Sequence, residues 1–185
     1  MPEATAYDHV IYPNYPYRQS HPDRLSTLAF LMGMDPAPVA RCRVLELGCG
    51  NGANLLPMAC DWPESSFVGI DLAQQPIAQG QALIEELGLN NIELLSLDVL
   101  AFPETMGSFD YIIAHGLYSW VPDGVREQIM VLCARHLAPQ GVAFISYNTY
   151  PGCHVRNIVR DMLRYHVHNA PDAATKISQS QALLK

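Results

Sequence analysis

The sequence has no C-x-x-C pair, no H-E-x-x-H run and no apolar stretch approaching the roughly 18 residues that a membrane-spanning helix needs. Its five cysteines (Cys42, Cys49, Cys60, Cys133, Cys153) are odd in number and scattered, which indicates neither a disulfide framework nor a structural zinc site, and they read as reduced thiols. His166 and His168 stand two apart on a predicted helix and face different sides, so no metal is expected. Met1-Pro2-Glu3 and the tyrosine-rich stretch behind it lack the basic start and apolar middle of a secretory signal, so the expected location is the cytoplasm, without a membrane partner. Basic side chains are scarce. With 11 Lys and Arg against 18 Asp and Glu the net charge is -7, which opposes non-specific binding to polyanions, and nucleic acid is not the expected partner. The local exception, Arg156, Arg160 and Arg164 at i, i+4 and i+8 of a predicted helix, reads as a solvated face or as a contact with another part of the protein.

What is present is the composition of one folded core: 185 residues, 49% hydrophobic, with a mean hydropathy of +0.04. Surface scaling for this mass leaves about 70% of the unfolded chain's area buried on folding. Residues 1–20 hold four of the nine tyrosines (Tyr7, Tyr12, Tyr15, Tyr17) beside Pro13 and Pro16, which suits an extended arm lying against the body. Ser20 before Pro22 predicts the start of a helix with Leu25, Leu28, Ala29 and Met32 as its apolar stripe, stopped by Gly33 and Pro36. From Arg43 onward, short β-branched or apolar runs predict strands at 44–47, 67–70, 92–97, 111–114 and 142–146. Helices are predicted between them at 53–60, 76–88 (Ile77, Ile84 and Leu87 on one side) and 123–137, then at 155–168 and from Asp172. Strands alternating with helices imply βαβ units: an α/β fold with a doubly wound, Rossmann-like parallel sheet. The expected division is an N-terminal arm and helix over 1–40, a ligand-binding domain over 41–170, and the start of a following segment over 171–185.

Between the first strand and first sheet helix lies Gly48-Cys49-Gly50-Asn51-Gly52, whose glycines allow a ligand close to the backbone. The turn fits G-x-G-x-G and, through Ala53, also the dinucleotide pattern G-x-G-x-x-A, so by itself it leaves the ligand open. Glu46 discriminates further, because a carboxylate two residues before the first glycine would repel a pyrophosphate and suits a cation. Asp71 ends the second strand, where it can accept from ribose hydroxyls, with Leu72 beside it. Asp98 ends the third, placed to accept from an adenine amino group while Val99 flanks the ring.

As a set, Glu46, Asp71 and Asp98 around this turn resemble the class I S-adenosylmethionine-dependent methyltransferases, a likeness covering about 43–146. It implies S-adenosylmethionine as cofactor, whose sulfonium and α-ammonium match Glu46, and a site of Glu46, Gly48, Cys49, Gly50, Asn51, Gly52, Asp71, Leu72, Asp98, Val99 and His115. A narrower resemblance lies in Ser20-His21-Pro22-Asp23-Arg24-Leu25, in His115-Gly116-Leu117-Tyr118-Ser119-Trp120-Val121-Pro122, in Ser146-Tyr147-Asn148-Thr149-Tyr150-Pro151-Gly152 and in Arg160-Asp161-Met162-Leu163. These look like the bacterial methyltransferases that carry a methyltransferase regulatory domain, some of which methylate protein lysine. That family continues past Lys185, and a class I sheet has seven strands where five are read here, so the expectation is a sheet lacking its last strands and the piece of a longer chain.

In parallel sheets ligands lie beyond the C-terminal strand ends, so the resemblance puts His115, Tyr118 and Trp120, after the fourth strand, and Tyr147, Asn148 and Tyr150, after the fifth, beside the methyl group. His115, Tyr118 and Tyr147 are the catalytic candidates. Tyr118, Trp120, Tyr147 and Tyr150 either wall a lysine chain through their ring faces or simply pack. Ala114-His115-Gly116-Leu117 departs from the Asn-Pro-Pro-Tyr run of adenine-amino methyltransferases. The acceptor is a protein lysine or, alternatively, a small molecule; a third alternative is a cofactor-binding interaction module inactive by itself. The arm from Tyr7 to Arg18 is expected either to close over the cleft, with Arg18 toward a carboxylate, or to cover the outer helices.

Overall fold

The apolar runs pair side by side in one sheet in the computed structural model, which describes residues 14–185. β1 (Arg43–Leu47), β2 (Ser66–Asp71), β3 (Ile92–Ser96), β4 (Phe109–Ala114) and β5 (Leu137–Ile145) are all parallel, in the order β3-β2-β1-β4-β5. The chain steps outward from β1 to β3 and then returns to lay β4 on the other side of β1. The connections therefore diverge at the C-terminal ends of β1 and β4, which is where parallel sheets open a crevice for ligands. This is the expected doubly wound α/β architecture, with five strands among the described residues.

Alternation along the strands sorts side chains onto two faces. Val44, Tyr111 and Ile113 pack with Leu25 of α1 (Pro22–Leu31), Leu55 and Met58 of α2 (Leu55–Asp61) and Ile77 of α3 (Gln74–Leu87). Leu45, Leu47 and Ile112 pack on the other face with Ile129 and Leu132 of α4 (Asp123–His136). Glu46 shares the parity of Val44, so it lies on the α2 side, inside the first of these cores. Gly88 stops α3 with φ 64°, the left-handed conformation that favours glycine there.

Several boundaries depart from expectation. His21, not Ser20, caps α1 by accepting from the Asp23 amide, because Ser20 is drawn into the interior by other partners. Leu25 and Ala29 are buried, but Leu28 and Met32 are exposed, so the apolar stripe of α1 is narrower than predicted; Leu87 of α3 is exposed too. α2 begins two residues late, since the turn occupies residues up to Asn54. β5 starts at Leu137, five residues before the predicted strand: Leu137 pairs with Phe109, then the register shifts so that Val142 meets Tyr111, with Gln140 at φ 65° in the bulge between. α5 (His154–His166) and α6 (Ala173–Leu183) follow, the latter capped by Asp172 accepting from the Thr175 amide.

Candidate active site

The glycine turn is held open from below by a nest of small residues. Gly48, Gly50 and Gly52 have φ of 73°, 56° and 75°, a region that side chains other than glycine rarely adopt. Leu94 of β3 fills the space beneath. A Cβ at Gly52, Gly69 or Gly80 would stand 2.7, 2.6 or 2.4 Å from its methyl groups, and one at Gly80 would also meet the Asn51 carbonyl oxygen at 2.4 Å. Gly69 in β2 and Gly80 in α3 thus let strand and helix approach the turn. Sequence reading passed over both, although a glycine inside a strand or helix is the usual sign of close backbone approach.

Asp71 is the clamp of this turn. Its Oδ2 accepts from the Gly50 amide at 2.8 Å and its Oδ1 from the Ala73 amide at 2.9 Å, and the carboxylate stays partly exposed at the crevice with Leu72 beside it. A carboxylate has about four lone-pair sites, so two remain for hydroxyl donors. Asp98 accepts from the Leu100 amide and caps the 3-10 turn Val99–Ala101 at the end of β3. Cys49 is buried, and burial with Glu46 and Asp71 nearby pushes its thiol well up, so it stays a thiol inside the turn.

Glu46 is the unusual group. It is 4% exposed, its Oε1 accepts from the Asn54 side chain at 2.8 Å, and its Oε2 is buried without a hydrogen-bond partner among the described residues. Burial pushes its carboxyl up to about 8, against the Asn54 hydrogen bond that lowers it and helped by the Asp71 charge that raises it. A buried carboxyl with one oxygen unsatisfied carries a large desolvation cost. A cationic donor brought to that oxygen would satisfy it and restore the ionised form.

The other buried side-chain atom without a partner among the described residues is Nδ1 of His115, which follows β4. Burial lowers its pKa, so the imidazole is neutral at physiological pH. Tyr17 of the arm lies against it with ring centroids 4.1 Å apart, and Phe144 of β5 lies 5.9 Å away. The arm also reaches the glycine turn. Asn14 donates to the Cys49 carbonyl at 2.9 Å, and the Tyr17 amide donates to Asn54 Oδ1 at 2.8 Å. Residues 14–20 therefore meet both ends of the crevice, while Tyr7 and Tyr12 of the expected lid lie outside the described residues. Arg18 lines a cavity of about 500 Å³ between the arm, α1 and α2, together with Arg24, Pro57 and Met58.

Tyr118, Trp120, Tyr147 and Tyr150, read as either a wall or plain packing, do not form one surface. Tyr118 and Tyr147 pair at 6.2 Å, but the Trp120 ring is covered by Arg160 at 5.2 Å and Tyr150 lies against His154 at 4.4 Å. The arginine stripe is accordingly used within the protein: Arg160 covers Trp120, and Arg156 donates to Asn148 at 2.8 Å. Asn54, which sequence reading did not single out, turns out to join the arm, the turn and Glu46; its role depends on a segment 34 positions away and leaves no local signal. Among the described residues there is no cluster of metal-binding side chains, and no helix is long and apolar enough to cross a membrane.

Comparison with known proteins agrees with this arrangement. The methyltransferase domain family matches residues 44–141, from β1 into β5. The uncharacterized protein RP789 of Rickettsia prowazekii (strain Madrid E) is 42% identical over 179 residues, which are 97% of this chain and 32% of that protein. The uncharacterized protein RP028 of the same organism is 38% identical over 180 residues, 97% of this chain and 72% of that protein. Among solved structures, PKMT2 from Rickettsia typhi in complex with AdoHcy superposes with a TM-score of 0.85 at 38% identity, covering 94% of this chain and 33% of that one. The chain thus spans about a third of the length of RP789 and of the PKMT2 chain. With a parallel sheet in the order β3-β2-β1-β4-β5, a positive-φ glycine turn after β1 and acidic residues at the ends of β1, β2 and β3, the chain belongs to the methyltransferase domain family and has the class I methyltransferase fold.

Proposed function

We propose that residues 41–170 bind S-adenosylmethionine across the C-terminal ends of β1, β2 and β3 and serve the transfer of its methyl group, with protein lysine as the acceptor class. The observation that carries the cofactor reading is Glu46: a buried carboxyl whose second oxygen has no partner among the described residues fits the ammonium donor at the amino-acid end of this cofactor. A dinucleotide fits poorly, because its pyrophosphate would add negative charge beside Glu46 and Asp71. In this reading Gly48, Cys49, Gly50, Asn51 and Gly52 offer backbone to the amino-acid end, Asp71 takes the ribose hydroxyls with Leu72 at its edge, and Asp98 and Val99 flank the adenine.

When bound, the cofactor supplies a methyl carbon on a sulfonium: the acceptor's lone pair forms a bond to that carbon as the carbon–sulfur bond breaks, leaving a neutral thioether, and an amine acceptor gives up its proton. The chain's part is to align and desolvate that exchange. Neutral His115 offers a nitrogen acceptor for a proton of the arriving amine, and the Tyr118–Tyr147 pair offers ring faces to an alkylammonium chain. The net charge of -7 favours a cationic substrate over a polyanion. The lysine assignment rests on the family resemblance of the 20–25, 115–122 and 146–152 segments, and with it goes a cytoplasmic location.

Two measurements test the reading. Calorimetry should give binding of S-adenosylmethionine and S-adenosylhomocysteine and none of NAD; the reverse pattern would overturn the cofactor assignment. Mass spectrometry of a lysate incubated with labelled cofactor, using this chain and a longer version of it, should place label on lysine of protein. Label confined to small metabolites would favour a small-molecule acceptor, and label from neither version would favour a binding module.

A further inference from the structure

Asn54 uses every hydrogen-bonding atom of its side chain. It is 1% exposed. Its Oδ1 accepts from the Tyr17 amide at 2.8 Å, and the two hydrogens on its Nδ2 go to Ser20 Oγ at 3.2 Å and Glu46 Oε1 at 2.8 Å. Ser20 Oγ in turn donates to the Tyr17 carbonyl at 3.0 Å, so the 3-10 turn Arg18–Ser20 closes on one amide from both ends. Since the Tyr17 N–H can only donate, the orientation of the amide is fixed, and with it the hydrogen that points at Glu46. The same Tyr17 lays its ring on His115. One buried amide thus joins the arm to Glu46 and His115, the two side chains with buried atoms that lack a partner among the described residues.

We propose that Asn54 is a positioning residue that couples closure of the 14–20 arm to the grip of Glu46 on the cationic amino-acid end of the cofactor. The proposal rests on the cofactor reading above and adds to it a residue and a linkage. With the arm docked, Ser20 and Tyr17 hold the amide so that its remaining hydrogen supports the carboxylate form of Glu46. With the arm released, the amide is free to rotate and that support is lost. Conversely, a cation on Glu46 holds the carboxylate as an acceptor for Asn54 and so stabilises the docked arm; the coupling is reciprocal. Asn54 touches no reacting atom and acts only through Glu46.

A purely structural Asn54 would predict something different: its removal would weaken every nucleoside ligand alike. The test compares S-adenosylhomocysteine with 5′-methylthioadenosine, which keeps the adenosine and thioether but lacks the charged amino-acid end. Binding of both is measured by calorimetry on the full chain, alongside hydrogen exchange of residues 14–20. Asn54→Ala should weaken S-adenosylhomocysteine tenfold or more, leave 5′-methylthioadenosine within about twofold, and speed exchange in the arm. Ser20→Ala, which removes one partner of the amide and leaves Glu46 and Asn54 in place, should shift all three readings the same way by a smaller factor, and it decides the matter should Asn54→Ala fail to fold. Equal losses for the two ligands, or arm exchange that ignores both substitutions and ligand, would overturn the coupling while leaving the cofactor reading intact. Failure of the unaltered chain to bind S-adenosylhomocysteine would instead overturn the cofactor reading, and the coupling with it.

Discussion

Residues 43–114 and residues 137–185 are built in contrasting ways. In the first region four parallel strands run through the core: Val44, Leu45, Leu47, Ile70, Ile112 and Ile113 are fully buried, and three glycines close around Leu94. In the second, no residue of β5, α5 or α6 is fully buried, and α5 exposes Val155, Ile158, Met162 and Tyr165. Glu46, Asp71 and Asp98 belong to the first region, and His115, Tyr118 and Trp120 to the stretch that joins the two. A tightly packed region can hold a buried carboxyl in an unfavourable state, because its surroundings do not yield. In the open region Arg156 finds a polar partner in Asn148, while Arg160 reaches out of it to the ring of Trp120. In the reading proposed above, the first style of construction holds the cofactor, while the second leaves Tyr147 and Tyr150 exposed.

The largest effect that would sharpen this contrast is Leu94→Ala. It removes the side chain against which Gly52, Gly69 and Gly80 pack and should cost about 2–5 kcal/mol in urea unfolding. A cost under about 1 kcal/mol would mean the turn collapses onto the gap and is not rigid. Glu46→Gln comes next. Glu46 ionises near 4.5 when unfolded and about 8 when folded, so folding favours its protonated form. Its contribution is fully present below pH 4.5 and is lost as pH rises through 8. The stability of the wild-type chain relative to Glu46→Gln should therefore fall between those pH values, by at most about 1.4 kcal/mol per pH unit, and level off above. A difference that does not change with pH would place Glu46 in contact with water.

Gly80→Ala should cost about 1–3 kcal/mol despite the better helix propensity of alanine, since the new methyl meets the Asn51 carbonyl, which is backbone and cannot turn aside. The same substitution at Gly124 in α4, where nothing lies within 4 Å, should leave stability unchanged or slightly raised. Smallest of all, Met162→Ser on the exposed face of α5 should stay within about 0.5 kcal/mol of the parent. A large loss there would show that the second region is as tightly packed as the first.

The contrast also explains what could be read from the sequence. The strands of the first region were legible because each is a short apolar run, three of them stopped by Gly48, Asp71 or Asp98, and the turn because its glycines alternate within five residues. Leu28 and Met32 share the predicted apolar stripe of α1 yet are exposed, because helical spacing fixes only which residues share a face, while the width of the groove that receives them is a tertiary matter. The start of β5 was missed because Pro139, Gln140 and Gly141 read as a loop; pairing of Leu137 with Phe109 draws the segment into the sheet through a bulge. Asn54 stayed hidden, as did the contact Ser20 makes with it, since an ordinary polar side chain does not announce a partner from a distant segment. The four aromatic rings follow β4 and β5 in the chain, which the sequence shows, but which of them Arg160 and His154 lie against depends on where α5 docks.

The most direct measurement is the proton released when S-adenosylhomocysteine binds. In the proposed reading Glu46, whose carboxyl burial pushes up to about 8, ionises when the ligand's ammonium reaches the oxygen that has no partner among the described residues. Calorimetric titrations at pH 7 in two buffers of different ionisation enthalpy should therefore report release of close to one proton per ligand bound, and Glu46→Gln should abolish that release while weakening affinity. Binding of equal strength with no proton released, unchanged by Glu46→Gln, would contradict the assignment of Glu46 as the group that receives the cation.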